Sequence, residues 1–127
     1  MIKGLYESHL PVSNLEESIL FYESLGLKLY KRYESIAFLW IVEGQSWLGL
    51  WEGDEYQTKY HPSLRHIAFQ IDMEPIEPIV IPDQAHAVVY FDDPDKNSLE
   101  LISRLPVQLE TNSKMYLNEW KAIVKSL

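Results

Sequence analysis

The 127-residue chain contains no cysteine. Disulfides, thiolate metal sites and a cysteine nucleophile are therefore excluded, and the lack is compatible with a reducing cytoplasm, the expected location. Positive charge is scarce: 11 Lys and Arg stand against 19 Asp and Glu, a net charge of −8. The basic patch that nucleic-acid binding requires is missing. Anionic membrane surfaces are disfavoured as well, whereas a cationic ligand is compatible; the same acidity also serves solubility. No apolar run approaches the roughly 18 residues of a membrane-spanning helix. Met1-Ile2-Lys3-Gly4 begins no apolar run of the signal-peptide kind. There is no low-complexity segment, and the one faint repeat is a histidine-bearing strand at the start of each half.

What is present reads as a globular domain. Hydrophobic residues make up 46% and aromatic residues 13% of the chain, too many for disorder. The length is that of one ordinary domain and suffices for a core without disulfides or a structural metal. Residues 4–12 read as a strand. Asn14 then serves as N-cap, with Glu17 at the third helical position. Leu15, Ile19 and Tyr22, widened by Phe21 and Leu25, have helical spacing, and Gly26 suits the position that ends the helix. Strands follow at 27–33, 36–42 and 46–51. The polar stretch 52–63 reads as a linker. The second half restarts with a strand over 65–72. Pro75, Pro78 and Pro82 deny a long helix, and a hairpin of 85–91 and 98–102 spans the turn Asp92-Asp93-Pro94-Asp95-Lys96-Asn97. Asp92, Asp93 and Asp95 are expected to be turn and surface charge. The apolar spacing of Met115, Leu117, Trp120, Ile123, Val124 and Leu127 predicts a terminal helix over about 111–127.

The residues that carry chemistry lie on strands. His66 opens the apolar run His66-Ile67-Ala68-Phe69-Gln70-Ile71, and Glu100 stands inside Ser98-Leu99-Glu100-Leu101-Ile102. A titratable side chain in a buried strand is costly unless it is paired or bound to a metal. A third such run, Tyr6-Glu7-Ser8-His9-Leu10, places Glu7 and His9 on one strand face. Nitrogen and carboxylate ligands on separated strands point to a metal site in a sheet-walled cavity. The other reading of His66 is a hydrogen-bonded core histidine, and of Glu100 an ion pair with an arginine such as Arg65 or Arg104. His61 and His86 read as structural or solvated. Trp47, Gly49 and Trp51 share one strand face, with Trp40 on the preceding strand. They form either core packing or an aromatic substrate wall, with Gly49 as a slot for a ligand.

With these residues in place, the chain resembles the vicinal oxygen chelate superfamily, which holds glyoxalase I, fosfomycin-resistance thiol transferases, methylmalonyl-CoA epimerase, extradiol dioxygenases and bleomycin-resistance proteins. The resemblance rests on Val12-Ser13-Asn14-Leu15-Glu16-Glu17-Ser18-Ile19-Leu20-Phe21-Tyr22 with Leu25-Gly26-Leu27, then His66-Ile67-Ala68-Phe69, then Asp93-Pro94-Asp95 with Leu99-Glu100-Leu101. It covers nearly all of the chain to residue 104. It implies an α+β fold of paired βαβββ modules forming a curled mixed sheet around a metal cavity, with a C-terminal helix. A single domain over 1–127 is expected, with module one at about 1–54 and module two at about 64–105.

The resemblance also implies a site. The metal candidates are Glu7, His9, His66 and Glu100, with Glu7 and Glu100 as the candidate catalytic carboxylates and Trp40, Trp47, Gly49 and Trp51 as candidate substrate contacts. Counting back from Asn14 places the first-strand ligand at Glu7, yet His9 shares its face, so both stay open. Gly49 stands where glyoxalase I-like members carry a carboxylate or amide, and the resulting three-ligand set is similar to the fosfomycin-resistance enzymes and dioxygenases. Lys96 replaces the usual Gly of the Asp-Pro-Asp-Gly turn, and the segment 72–85 is short where relatives have a full helix. One divalent ion, among Mn, Zn, Ni, Fe(II), Co or Mg, suits an imidazole and carboxylate set. A set of three protein ligands leaves positions open for water or substrate. The implied activity is that of a glyoxalase-like, metal-dependent lyase or transferase on a small oxygenated metabolite or xenobiotic. The partners are a small-molecule substrate and a second copy in a homodimer. Two alternatives stand: a metal-free protein that sequesters a cationic antibiotic, as bleomycin-resistance proteins do, and an Fe(II) extradiol-type dioxygenase using His9, His66 and Glu100.

Overall fold

The computed structural model describes residues 1–53, 66–72 and 78–127. Past Gly53, the expected linker lies outside the described residues. So do His61, Arg65 and Pro75, and with 73–77 part of the segment 72–85 where a second-module helix would stand. The chain divides into two compact units, Met1–His61 with Asp92–Asn97, and Pro62–Phe91 with Ser98–Leu127.

The first unit runs β1 (Glu7–Val12), α1 (Leu15–Ser24), β2 (Lys28–Arg32), β3 (Ile36–Val42) and β4 (Ser46–Glu52). Its sheet has the order β1-β4-β3-β2, with β1 parallel to β4 and the other neighbours antiparallel. The helix is fixed at both ends by its own sequence. The Asn14 side chain accepts from the Glu17 amide at 3.0 Å, and Glu52 at the end of β4 accepts from the Leu15 amide at 2.6 Å. These bonds satisfy two of the amides that a helix start leaves open. At the other end Gly26 takes φ 101°, while its amide donates to Glu23 and that of Leu27 to Tyr22. This is a Schellman motif, which favours glycine at this position. Leu15, Ile19 and Tyr22 are buried with Val12, Ala37, Leu39, Leu48 and Leu50, so one face of the sheet and one face of the helix make the core.

The second unit holds β5 (His66–Gln70), β6 (Ile79–Ile81), β7 (His86–Asp92), β8 (Ser98–Arg104), β9 (Met115–Tyr116) and α2 (Leu117–Lys125), in the sheet order β5-β8-β7-β6-β9. Here β5 runs parallel to β8. The strand β6 is absent from the sequence reading. Pro78 and Pro82 flank Ile79-Val80-Ile81 without interrupting it, and three β-branched residues suit a short strand. The helix also begins later than expected. Met115 and Tyr116 pair with Val80 and Ile79, so the sheet claims them before Leu117 starts α2. Val80, Ala87, Leu105, Leu117 and Trp120 then form one buried cluster. Among the described residues, two α-helices and two mixed sheets make the fold α+β, as expected.

The turn 92–97 belongs to the first unit, and the expectation of surface charge there is wrong for two of its aspartates. Asp93 and Asp95 are 5% and 6% exposed. Asp93 Oδ1 accepts from the amides of Asp95 and Asn97 at 2.9 and 2.8 Å, while Oδ2 accepts from the Tyr22 hydroxyl at 2.7 Å and Asn97 Nδ2 at 2.8 Å. Asp95 Oδ1 accepts from the Ser13 amide at 3.1 Å, and Asn97 Nδ2 also donates to the Pro11 carbonyl at 3.0 Å. A carboxylate so surrounded is a structural anchor, because buried charge is tolerated only when its bonds are made. The left-handed residue of the turn is Lys96, at φ 63°, not Asn97. Two substitutions should therefore act with opposite signs in urea unfolding. Tyr22→Phe removes a hydrogen bond to a charged acceptor and should cost about 1.5–3 kcal/mol. Lys96→Gly relieves a side chain from the left-handed region and should stabilise by about 1 kcal/mol.

Candidate functional site

Each unit brings one histidine and one glutamate together. In the second unit, β5 and β8 lie side by side with Ala68 opposite Glu100 and His66 opposite Ser98. His66 Nε2 comes to 3.3 Å from Glu100 Oε1, with side chains 31% and 6% exposed. Tyr90 on β7 completes the group: its ring centroid is 6.4 Å from that of His66. Burial, then the charge of Glu100, then a hydrogen bond to Glu100 push the Tyr90 phenol above its ordinary range. The phenol therefore stays protonated at neutral pH and donates to the carboxylate. The arginine expected as an alternative partner of Glu100 is either outside the described residues (Arg65) or exposed on its strand (Arg104). Sequence reasoning missed Tyr90. A half-exposed tyrosine on a strand carries no pattern signal; only the adjacency of β7 and β8 brings it to Glu100.

In the first unit, Glu7 and His9 project from the same face of β1. Glu7 Oε1 accepts from Trp47 Nε1 at 2.8 Å and lies 2.8 Å from His9 Nε2. The Trp47 indole, then the His9 ring, hold the Glu7 carboxyl below its ordinary value, against a smaller opposing effect of burial. His9 stands opposite Gly49. A Cβ on Gly49 would come within 2.8 Å of His9 Cδ2 and 3.1 Å of Nε2. The space over this glycine is filled by the imidazole, so the lack of a side chain at Gly49 is what lets His9 lie against β4.

The four candidate substrate contacts share this face. In register, Glu7 stands beside Trp47, Trp47 beside Trp40, and Trp40 beside Lys28; the next row is His9, Gly49, Phe38, Lys31. Trp47 is the hub, with ring centroids of Phe38, Trp40, Tyr6 and Tyr30 at 4.8, 5.2, 5.3 and 5.6 Å. His9 lies 5.5 Å from Trp51. Trp51 is 46% exposed, so it is no core residue, whereas Trp40 and Trp47 are half-buried.

Among the described residues, no group of three or more His, Asp and Glu side chains gathers as a metal cluster. What the structure shows is two imidazole–carboxylate pairs, one in each unit. The donor chemistry of the His66–Glu100 pair, a borderline nitrogen with a hard oxygen, fits a divalent first-row ion.

The lowered titration of Glu7 has a checkable consequence. In metal-free protein, Trp47→Phe should move the Glu7 carboxyl up toward its ordinary value, as read by NMR titration of its side-chain carbon. A group whose folded value is depressed contributes stability above its unfolded value and loses it as pH falls through the folded value. The stability difference between wild type and variant should therefore be full at neutral pH and shrink below the ordinary glutamate range. An unchanged Glu7 titration would show that the indole bond does not control this carboxylate.

No family model matches the chain, and neither does any curated protein. Solved structures do. An integron cassette protein from the mobile metagenome of the Halifax Harbour sewage outfall is 26% identical, with a TM-score of 0.63 over 80% of this chain and 99% of its own. A glyoxalase/bleomycin resistance protein/dioxygenase from Alicyclobacillus acidocaldarius is 20% identical, with a TM-score of 0.63 over 80% of this chain and 91% of its own. The fosfomycin resistance protein FosX from Listeria monocytogenes is 24% identical, with a TM-score of 0.63 over 84% of this chain and 97% of its own. The fold of this chain is thus that of the glyoxalase, bleomycin-resistance and dioxygenase structures, the vicinal oxygen chelate fold.

Proposed function

We propose that the protein is a divalent-metal-dependent enzyme of the glyoxalase type, a lyase or transferase whose small oxygenated substrate chelates the ion. The observation that carries this reading is Glu100: a carboxylate 6% exposed, on a strand, with an imidazole 3.3 Å away. A core has no need of such a pair, since an apolar pair of the same volume is often at least as stable. His66 and Glu100 are the proposed ligands of the second unit; Glu7 and His9 are the candidates in the first. When bound, the ion polarises a substrate oxygen as a Lewis acid. The chain's own part is to aim the donors. Tyr90 holds Glu100 through its phenol and so restrains the carboxylate. Glu7 and Glu100 are the proposed catalytic carboxylates, with Trp40, Trp47, Gly49 and Trp51 as the substrate wall. The sequestering alternative is supported by that wall, which needs no metal.

The test is a thermal melt. An ion that binds only the folded chain stabilises it by about 2.7 kcal/mol at a free concentration roughly 100 times Kd. Mn, Zn, Ni or Fe(II) should then raise the midpoint by roughly 10 °C over chelator-treated protein. His66→Ala and Glu100→Ala should abolish the rise. In the first unit, Glu7→Ala and His9→Ala separate the candidates: the ligand abolishes the rise and its neighbour only reduces it. If no ion shifts the melt, the enzyme reading gives way to the sequestering one. The reading also includes a homodimer, and light scattering at micromolar concentration should return twice the chain mass; a monomer there removes this part.

A further inference from the structure

We propose that the cavity at the far end of β5 and β8, in the second unit, binds a small zwitterion, an α-amino acid with an apolar side chain, whose carboxylate meets Arg104 and whose ammonium meets Asp72.

The cavity is built by the ends of two strands. The β5–β8 ladder closes at the pair Gln70–Ile102. Past it, the Ile71 amide donates to the Ile102 carbonyl at 2.7 Å, and the Leu105 amide donates to the Ala85 carbonyl at 2.7 Å. These bonds hold both walls. Residues 70–72 and 103–106 line a cavity of about 260 Å³. Sites for drug-sized ligands begin at roughly 300 Å³, so the occupant is smaller than those. None of the candidate metal ligands or substrate contacts lines this cavity. Ser103 and Arg104 lie beyond Glu100 on β8, roughly 10–13 Å along the strand.

Three features of the lining select the ligand. The first is a pair of opposite charges. Asp72 and Arg104 both line the cavity, yet among the described residues neither makes an ion pair, with the other or elsewhere. Opposite charges that share a cavity but stay beyond pairing distance leave room for a ligand that bridges them. A guanidinium receives a carboxylate through two parallel bonds, and a carboxylate receives an ammonium. The second is Ser103, which is 5% exposed and whose Oγ has no hydrogen-bond partner among the described residues. A buried hydroxyl without a bond is costly. Serine turns between staggered rotamers, so a ligand seated beside it can supply that bond. The third is the carbon of Ile71, Leu105 and Pro106, which suits an apolar side chain between the two charges.

The same features reject other ligand classes. An anion gains Arg104 but is repelled by Asp72, and a cation gains Asp72 but is repelled by Arg104. A neutral apolar molecule strips water from both charges without replacing it. A metal ion would find one carboxylate with a guanidinium beside it. A zwitterion satisfies both charges at once, and its apolar side chain covers the carbon between them. The inference goes beyond the proposed function: it uses none of the residues placed there and requires no metal, so the two fail separately.

The experiment titrates the full chain, in chelator, with L-valine and with its two halves. Isovalerate lacks the ammonium and isobutylamine lacks the carboxylate. The readout is the NMR shift of the backbone amides of Ile71, Asp72, Arg104 and Leu105. Valine should move these amides saturably and bind at least about tenfold tighter than either half. Arg104→Gln should weaken valine about tenfold and leave isobutylamine no weaker. Asp72→Asn should weaken valine by a similar factor and leave isovalerate no weaker. Both residues are exposed, so these exchanges leave the fold intact. Ser103→Ala should weaken valine about fivefold, with a thermal melt confirming that the variant folds. Amides that stay still, or equal binding of the three probes, would overturn the proposal and leave a hydrated cleft. An unaltered valine affinity in Arg104→Gln, or shifts spread over the chain rather than centred on these amides, would overturn it as well.

Discussion

Side chains alternate across the pleat of a strand, and in the first unit β3 and β4 alternate in register from Ile36–Trp51 to Trp40–Trp47. Leu48 and Leu50 on β4 point to α1, beside Leu39 and Ala37 on β3, and all four are fully buried. Trp47, Gly49 and Trp51 are then committed to the other face, where parallel pairing sets them beside Glu7, His9 and Pro11. A slip of one residue in β4 would drive two tryptophans under the helix and expose two leucines, at roughly 1.5–3 kcal/mol for each leucine alone. The hydrophobic requirement of the core therefore places the polar pair and the aromatic wall. Nothing in Glu7, His9 or the rings has to select that arrangement for itself.

The two histidine–glutamate pairs use the same residue types in different dielectric settings. Glu100 is nearly out of solvent, with His66 and the Tyr90 phenol as its partners. Interactions there are strong, and removal of a partner leaves a buried polar group short of a bond. Glu7 is half in water, held by one indole and one imidazole, where screening keeps the energies modest. The buried pair suits tight holding of an ion, and the exposed pair suits contact with something that arrives from solution. The difference follows from strand placement. Glu100 lies on β8, flanked by β5 and β7, whereas Glu7 lies on β1 at the edge of its sheet.

Much of this was legible in the sequence. Asn14, Glu17 and Gly26 announce α1 by local rules that need no tertiary context, and they hold in the structure. The expected strands 36–42 and 46–51 match β3 and β4 almost to the residue, and period-two alternation put Glu7 with His9 and Trp47 with Trp51. What was not legible depends on neighbours that only the folded sheet supplies. The strand β6 has three residues and gains its place from β7 and β9. Met115 and Tyr116 fit a helical apolar pattern equally well, and pairing with Ile79 and Val80 overrides it. Asp93 and Asp95 look like turn charges, yet Tyr22, 71 positions away, reaches Asp93 through its hydroxyl. Tyr90 and the Trp47–Glu7 bond were missed for the same reason. Each joins different strands, and sequence gives residue faces more readily than strand order.

Gly49 shows how much a single position without a side chain can arrange. The space over it is filled by an imidazole from the neighbouring strand, with its ring atoms closer than any Cβ there would tolerate. His9 is thereby drawn down beside Phe38 and Trp51 and turned so that Nε2 meets Glu7. That contact and the Trp47 indole both fall on Oε1, leaving Oε2 as the open oxygen of the face. A glycine on β4 thus goes with one oriented carboxylate at the rim of an aromatic surface. The polar chemistry of the first unit is accordingly concentrated at its β1 edge, and the remainder of that face is built from rings.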